Sequence, residues 1–125
     1  MIELFVTISS KIGVSTSLLL AICGVESKFH NINNFNDPHG GSHGVCQINV
    51  KTAQMLLPYA DKLALQQVSF NIEVSALYLK KLQKKYNNTN HIISAYNAGH
   101  VTINNGVYSN QLYVNKVLKE YNKYL

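Results

Sequence analysis

The sequence predicts an all-α fold in a single domain, and three observations support this prediction. The chain has 125 residues, of which 46% are hydrophobic, which suffices for one domain with a buried core but not for two. Apolar residues recur at helical spacing in most segments. No window shows the sustained alternation that a strand needs, although residues 45–50 fit a locally extended segment.

The first two helices are defined by apolar positions and by residues suited to helix ends. We predict a helix over residues 2–12 that stops at Gly13, since glycine readily adopts the left-handed conformation of a helix C-cap. Ser15 can cap a second helix, in which apolar residues recur at helical spacing to about Lys28. The following residues, 30–44, are rich in Asn and Gly, so we predict a long surface loop.

Four more helices are predicted in the remaining chain. Their approximate ranges are 50–57, 69–86, 91–98 and 110–124. The helix over 69–86 is the longest, and its apolar residues share one face. The lysines elsewhere around this helix are expected to form a solvated face; they are Lys80, Lys81, Lys84 and Lys85.

The charge of the chain restricts its partners. The net charge is +5, which favours an anionic partner such as nucleic acid, a membrane surface or a cell wall. All eleven basic residues are Lys, so the planar fork with which Arg recognises phosphate or guanine is absent, and nucleic acid is disfavoured. The longest apolar run, residues 18–23, is far shorter than a membrane span, and we expect no membrane insertion.

Two cysteines, Cys23 and Cys46, allow at most one disulfide bridge. They cannot form the framework of a disulfide-rich fold. We expect two reduced, partly buried thiols, as is usual for free cysteine, and keep the bridge as the alternative.

Glu26 stands out among the six acidic residues. It lies near the end of the second predicted helix, and its neighbours one turn away are Ile22, Cys23 and Phe29. A carboxyl flanked by apolar surface has a raised pKa, which is the state that a general acid needs near neutral pH. The alternative is a partly exposed residue at a helix end.

Several segments resemble motifs of one enzyme family. Residues 18–29, LLLAICGVESKF, resemble the segment that carries the catalytic Glu in lytic transglycosylases of the soluble-lytic-transglycosylase type. The further matches follow in the family's order: HGVCQI at 43–48 resembles G-L-M-Q-I, NIEVSALYLKKLQKKY at 71–86 resembles N-I-x-x-G-x-x-Y-L, SAYNAG at 94–99 contains A-Y-N-A-G, and YVNKVLKEY at 113–121 resembles Y-V-x-x-V. The chain departs from these motifs at Cys46, where the family has Met, and at Ser75, where it has Gly. The resemblance covers about residues 14–121.

The resemblance implies a lysozyme-like fold over residues 1–125 and a lytic transglycosylase activity on the glycan strands of peptidoglycan. In such enzymes a single Glu, here Glu26, protonates the oxygen between N-acetylmuramic acid (MurNAc) and N-acetylglucosamine (GlcNAc). It then takes the proton of the muramyl C6 hydroxyl, which closes a 1,6-anhydro ring. Because this nucleophile is intramolecular, no second carboxylate is required, and neither a metal nor a cofactor is implied.

The same match implies a set of residues that line the sugar groove. These are Ser27, Gln47, Ile48 and Asn97. We also expect the hydroxyls of Tyr96 and Tyr113 near Glu26 or a sugar, and Ser42 is the candidate from the loop. The alternatives are that both tyrosines are core rings with satisfied hydroxyls, and that Ser27 only hydrogen-bonds its own helix.

Other hypotheses remain open at this point. Asp37 is the one plausible second carboxylate, and if it faced Glu26 it would hold a water for hydrolysis, as in goose-type lysozymes. Asp37, His39 and His43 are also candidates for a metal site, but a glycine-spaced loop without a rigid helix favours a polar turn. From another functional class, the alternative is a basic helical module that binds nucleic acid or glycan without cleavage.

An enzyme of this kind acts on the bacterial cell wall or in the periplasm, and we expect it to work as a monomer. The N-terminal segment carries Glu3 where a secretion signal would be positively charged, and no cleavage site follows. We therefore expect delivery by a bacteriophage, through holin release or in a virion, or by a secretion or conjugation apparatus.

Overall fold

Six helices form most of the structure, a computed structural model that describes residues 1–125. In chain order they are α1 (Ile2–Ile12), α2 (Thr16–Ser27), α3 (Val50–Leu56), α4 (Val68–Lys85), α5 (Thr89–Ala98) and α6 (Gln111–Tyr124), with a short 3₁₀ turn at Ala64–Gln66. The all-α prediction is confirmed, and each predicted helix lies close to its expected ends. None of the helices has both the length and the apolar character needed to cross a membrane.

The junction between α1 and α2 shows the capping that the sequence predicts. Gly13 follows α1 with φ 88°, a left-handed conformation in which its N–H bonds the carbonyl oxygen of Ser9. The Ser15 hydroxyl accepts a hydrogen bond from the backbone N–H of Leu18 at 3.1 Å, which satisfies a donor that the helix itself leaves free. The chain therefore turns sharply and directs α2 into the core.

Helix α2 is the central element of the core. Residues 18–23 are buried without interruption, as expected for a helix that is apolar all round and enclosed by other elements. Both α1 and α6 pack against it, while α4 contacts α1, α3 and α5. The last turn of α2 carries Glu26, so this carboxyl is attached to a well-enclosed helix.

Five strands of two residues each lie in segments outside the helices. β1 (Asn33–Asn34), β2 (Ser42–His43) and β3 (Ile48–Asn49) form an antiparallel sheet in that order, and β4 (Ile103–Asn104) pairs with β5 (Val107–Tyr108) in a hairpin. Strands of this length contain no alternation, so the sequence pattern does not indicate them. The predicted surface loop over 30–44 is thus partly ordered by pairing, and its residue His43 is fully buried.

The prediction of two reduced cysteines is wrong, because Cys23 and Cys46 form a disulfide. Residues 42–49, which we call the β2–β3 segment, lie against the second half of α2, and the Cα atoms of Cys23 and Cys46 are 4.2 Å apart. The sequence places the cysteines 23 positions apart and contains no sign of this contact. The bridge joins the helix of Glu26 to the segment that contains Gln47.

Candidate active site

A cleft of about 490 Å³ opens beside the C-terminal end of α2. Six of the residues predicted from the sequence line it: Glu26, Ser42, Gln47, Ile48, Tyr96 and Asn97. Asp37, His39 and Lys51 are on the same walls. The end of α2, the β2–β3 segment, α3 and the end of α5 therefore meet around one concave surface.

Glu26 is half-buried in this cleft and has one hydrogen-bond partner. The Tyr113 hydroxyl, on α6, donates to Glu26 Oε2 at 2.8 Å. Burial raises the pKa of Glu26 from 4.5 to about 7; the Tyr113 hydrogen bond lowers it, and the negative charge of Asp37 raises it further. Near neutral pH the carboxyl therefore populates both its protonated and its ionised form.

Tyr113 contacts the Glu26 carboxyl but is not among the residues that line the cleft. Burial, and then the negative charge of Glu26, raise the pKa of Tyr113 well above its ordinary value. The phenol stays protonated across the physiological range, so it remains a hydrogen-bond donor to the carboxylate. This contact fixes the orientation of the carboxyl group.

Tyr96 is both a residue of the cleft and a core ring with a satisfied hydroxyl, the two alternatives considered for it. Its ring is 7% exposed and forms part of the cleft wall, 5.3 Å from the ring of Tyr78. Its hydroxyl donates to the carbonyl oxygen of Cys46 at 3.0 Å, and burial raises its pKa above the ordinary range. The hydroxyl is therefore occupied in holding the β2–β3 segment.

Ser27 is not a cleft residue, and in this respect the structure corrects the prediction. It is 5% exposed and does not line the cavity. Its hydroxyl lies 2.6 Å from the carbonyl oxygen of Val45 and 3.3 Å from that of Cys23. Ser27 therefore contacts its own helix, as the alternative proposed, and also links α2 to the β2–β3 segment.

Asn71 is a buried residue of the site region that the sequence analysis did not single out. Its side chain accepts from the backbone N–H of Cys46 at 3.0 Å and donates to the carbonyl oxygens of His43 at 2.7 Å and Leu65 at 2.9 Å. Gly44, with φ 82°, leaves room for this amide, because a Cβ there would collide with Asn71 Nδ2. The signal that could have found it is a polar residue on the buried face of a predicted helix.

Gln47 and Asn97 both face the cleft, but their side chains also make contacts within the protein. The Gln47 amide group donates to the carbonyl oxygens of Ile32 at 2.7 Å and Gly44 at 2.8 Å, and its carbonyl accepts from Asn34. Gln47 has φ 49°, a left-handed conformation that such contacts stabilise. Asn97 is exposed and accepts a hydrogen bond from Asn110 at 2.9 Å.

The remaining candidates are two further groove residues and the three residues considered for a metal site. Ser42 is half-buried on the cleft wall, and Ile48 is only 2% exposed beneath it. Asp37, His39 and His43 do not converge into a cluster able to hold a metal ion. Both ring nitrogens of His43 are instead engaged, with Asn33 Oδ1 and with the carbonyl oxygen of Gly40, each at 3.1 Å.

The cleft has other lining residues that the sequence analysis did not name as site candidates. They are Pro38, Asn49, Lys51, Thr52, Met55, Tyr78, Ala98 and Gly99. Most of them belong to α3 and its approach or to the end of α5, which meet only in the folded chain. The cleft as a whole presents one carboxyl that titrates near neutral pH, a second carboxylate and several polar groups. This is an arrangement suited to acid–base chemistry on an extended polar ligand.

The family model described as a transglycosylase SLT domain matches residues 3–119, a range that contains every residue of the cleft. Transglycosylases of this family cleave glycan, and their substrate is the peptidoglycan of the bacterial cell wall. A search of curated proteins found no match.

Proposed function

Because the chain belongs to the transglycosylase SLT domain family, we propose that it is a lytic transglycosylase in which Glu26 is the only catalytic carboxylate. It cleaves the β-1,4 bond between MurNAc and GlcNAc without water and leaves 1,6-anhydroMurNAc ends. The observation that carries this proposal is the state of Glu26. Its carboxyl faces the cleft, has a pKa of about 7 and is oriented by Tyr113.

In the first step Glu26 acts as a general acid. The protonated carboxyl gives its proton to the oxygen that leaves with GlcNAc, while the bond between this oxygen and C1 of MurNAc breaks. A raised pKa keeps a large fraction of the carboxyl protonated near neutral pH, which this step requires. Tyr113 then stabilises the carboxylate that remains by donating to Oε2.

In the second step Glu26 acts as a base. The carboxylate accepts the proton of the muramyl C6 hydroxyl, whose oxygen forms a bond to C1 of the same sugar. The nucleophile is part of the reacting sugar and so has a high effective concentration. Glu26 ends protonated, ready for another cycle.

The other cleft residues are proposed to bind the glycan. Ser42 and Asn97 offer a hydroxyl and an amide on the cleft walls, and Gln47 and Ile48 present the β2–β3 segment to the sugars. The ring of Tyr96 is part of the cleft wall, while the hydroxyls of Tyr96 and Tyr113 hold Cys46 and Glu26 in place. Ser27 is left out of the binding set.

A lysozyme-type hydrolase is the second candidate, and one observation favours it. Asp37 lines the same cleft as Glu26, and its charge raises the pKa of Glu26. A second carboxylate in this position would act as a base for water in an inverting reaction. The products and the Asp37 variant distinguish the two mechanisms.

The disulfide supports action outside the cytoplasm. Disulfides form and persist in oxidising compartments such as the periplasm and the cell surface, where peptidoglycan is located. We propose that the protein works there as a monomer. A phage or a secretion or conjugation apparatus remains the predicted route of delivery.

The first test is a pair of substitutions assayed on purified cell walls. Glu26→Gln keeps the shape and the hydrogen bond to Tyr113 but has no proton to give, so activity should fall by roughly 10² to 10⁴-fold. Asp37→Asn, the matched control at the other carboxylate of the cleft, should reduce activity only mildly. Near wild-type lysis by Glu26→Gln would reject the proposal, and an equally large loss for Asp37→Asn would support the hydrolase.

A further inference from the structure

A second cavity, which we call the side pocket, adjoins the catalytic cleft. Its volume is about 250 Å³. It shares Thr52, Met55, Tyr78 and Gly99 with the cleft. Its other lining residues are Leu56, Lys81, Leu82 and Lys85. A ligand in the cleft can therefore extend into the side pocket without leaving the protein surface.

Three of the four lysines of α4, Lys81, Lys84 and Lys85, are exposed, as predicted for a solvated face, but Lys80 is half-buried. Lys80 Nζ donates to the carbonyl oxygen of Ile12 at 2.7 Å and so caps the C-terminal end of α1. Lys81 and Lys85, one helical turn apart, both line the side pocket. Lys84 lines neither cavity.

The side pocket is cationic, whereas the catalytic cleft is not. No acidic residue lines the side pocket, while Glu26 and Asp37 both line the cleft. Tyr78 precedes Lys81 by three positions, so both lie on the same side of α4. This face of the helix leads from the cleft wall directly to two ammonium groups.

The substrate of the proposed function, on which this inference rests, carries its negative charge in one place. GlcNAc and peptide-substituted MurNAc are uncharged, and the free carboxylates belong to the stem peptide. This peptide is attached to the lactyl group of MurNAc, the sugar whose C1 reacts. A strand bound with its MurNAc beside Glu26 therefore presents its peptide close to the scissile bond.

We infer that the side pocket is a subsite for the stem peptide of peptidoglycan, in which Lys81 and Lys85 pair with its carboxylates. Leu56 and Leu82 provide apolar walls for its alanyl methyl groups. The enzyme consequently favours glycan strands that carry stem peptides over amidase-treated strands, in which the freed lactyl carboxylate stays on MurNAc and lacks the peptide arm that reaches the side pocket. Ion pairs that remain open to solvent are screened by salt, so this preference decreases as ionic strength rises.

The test compares cleavage of peptide-bearing and peptide-free strands by three proteins. They are the wild type, the double variant Lys81→Gln/Lys85→Gln, and Lys84→Gln, which removes a charge from the same helix outside both cavities. The wild type and Lys84→Gln should favour peptide-bearing strands about five-fold, the size expected from two solvent-exposed ion pairs. The double variant should lose most of this preference.

Equal rates of the wild type on both substrates, or a preference that survives in the double variant, would overturn the subsite. A binding measurement separates this result from a failure of the proposed function. If the wild type cleaves neither substrate, the catalytic proposal fails. The side pocket is then judged by whether Glu26→Gln protein binds peptide-bearing strands more tightly than peptide-free ones, and whether the two lysine substitutions abolish the difference.

Discussion

At the scale of single residues, the chemistry depends on three effects that set the pKa of the Glu26 carboxyl. Burial raises its pKa, the hydrogen bond from Tyr113 opposes this effect, and the charge of Asp37 adds to it. Without the Tyr113 contact, burial would raise the pKa of Glu26 further and make its carboxyl a weaker acid for the first step. The balance near pH 7 suits a group that must first give a proton and then take one.

This balance predicts a pH-dependent effect of Glu26→Gln on stability. Glu26 titrates near 4.5 in the unfolded chain and near 7 in the folded protein, so the folded state binds more protons between these values. Stability therefore decreases as pH rises through this window. With a discount for the solvent-exposed part of the carboxyl, the ionised form costs roughly 2 kcal/mol above pH 7. The neutral Gln avoids this cost.

Urea denaturation of the wild type and Glu26→Gln at pH 4 and pH 8 measures the effect. The variant should be the more stable protein at pH 8 and closely similar at pH 4. A stability difference of the same size at both pH values would show that ionisation of Glu26 does not destabilise the folded protein.

At the scale of structural elements, the β2–β3 segment is the part of the site with the most contacts from other elements. α2 holds it through the disulfide and the Ser27 hydroxyl, α4 through the amide of Asn71, and α5 through the Tyr96 hydroxyl. Gln47 and Ile48 therefore enter the cleft on a rigid segment. A site built in this way loses little conformational entropy when a glycan binds.

The disulfide should contribute strongly to the stability of this arrangement. It closes a loop between positions 23 apart, for which the entropy of the unfolded chain gives about 3 kcal/mol. We expect the double variant Cys23→Ala/Cys46→Ala to be less stable by at least this amount in urea denaturation. The wild type unfolded in reductant should show a similar loss, and reductant should not affect the variant. Equal stability of the wild type with and without reductant would contradict the role assigned to the bridge.

At the scale of the whole molecule, the elements that the sequence predicts are those whose signals are local. α1 and α2 follow from helical periodicity and from caps at Gly13 and Ser15, and Glu26 stands out because its helical neighbours are apolar. The match of the transglycosylase SLT domain to residues 3–119 agrees with the family and the lysozyme-like fold implied by the motifs.

What the sequence does not reveal depends on contacts between distant segments. The Cys23–Cys46 bridge, the inward direction of Ser27 and the three contacts of Asn71 all arise where the β2–β3 segment lies against α2 and α4. The side pocket likewise requires α3 beside α4, which brings Met55 near Lys81. No periodicity or motif reports such contacts.

The products of peptidoglycan digestion test the central claim most directly, because they record whether the C6 hydroxyl or water attacked C1. Purified peptidoglycan is digested, half of the digest is treated with borohydride, and both halves are analysed by mass spectrometry. If Glu26 acts alone, the new ends are 1,6-anhydroMurNAc, lighter by one water than hydrolytic ends and unchanged by borohydride. Predominantly reducible MurNAc ends would contradict this account and assign Asp37, or another acid, as a base for water.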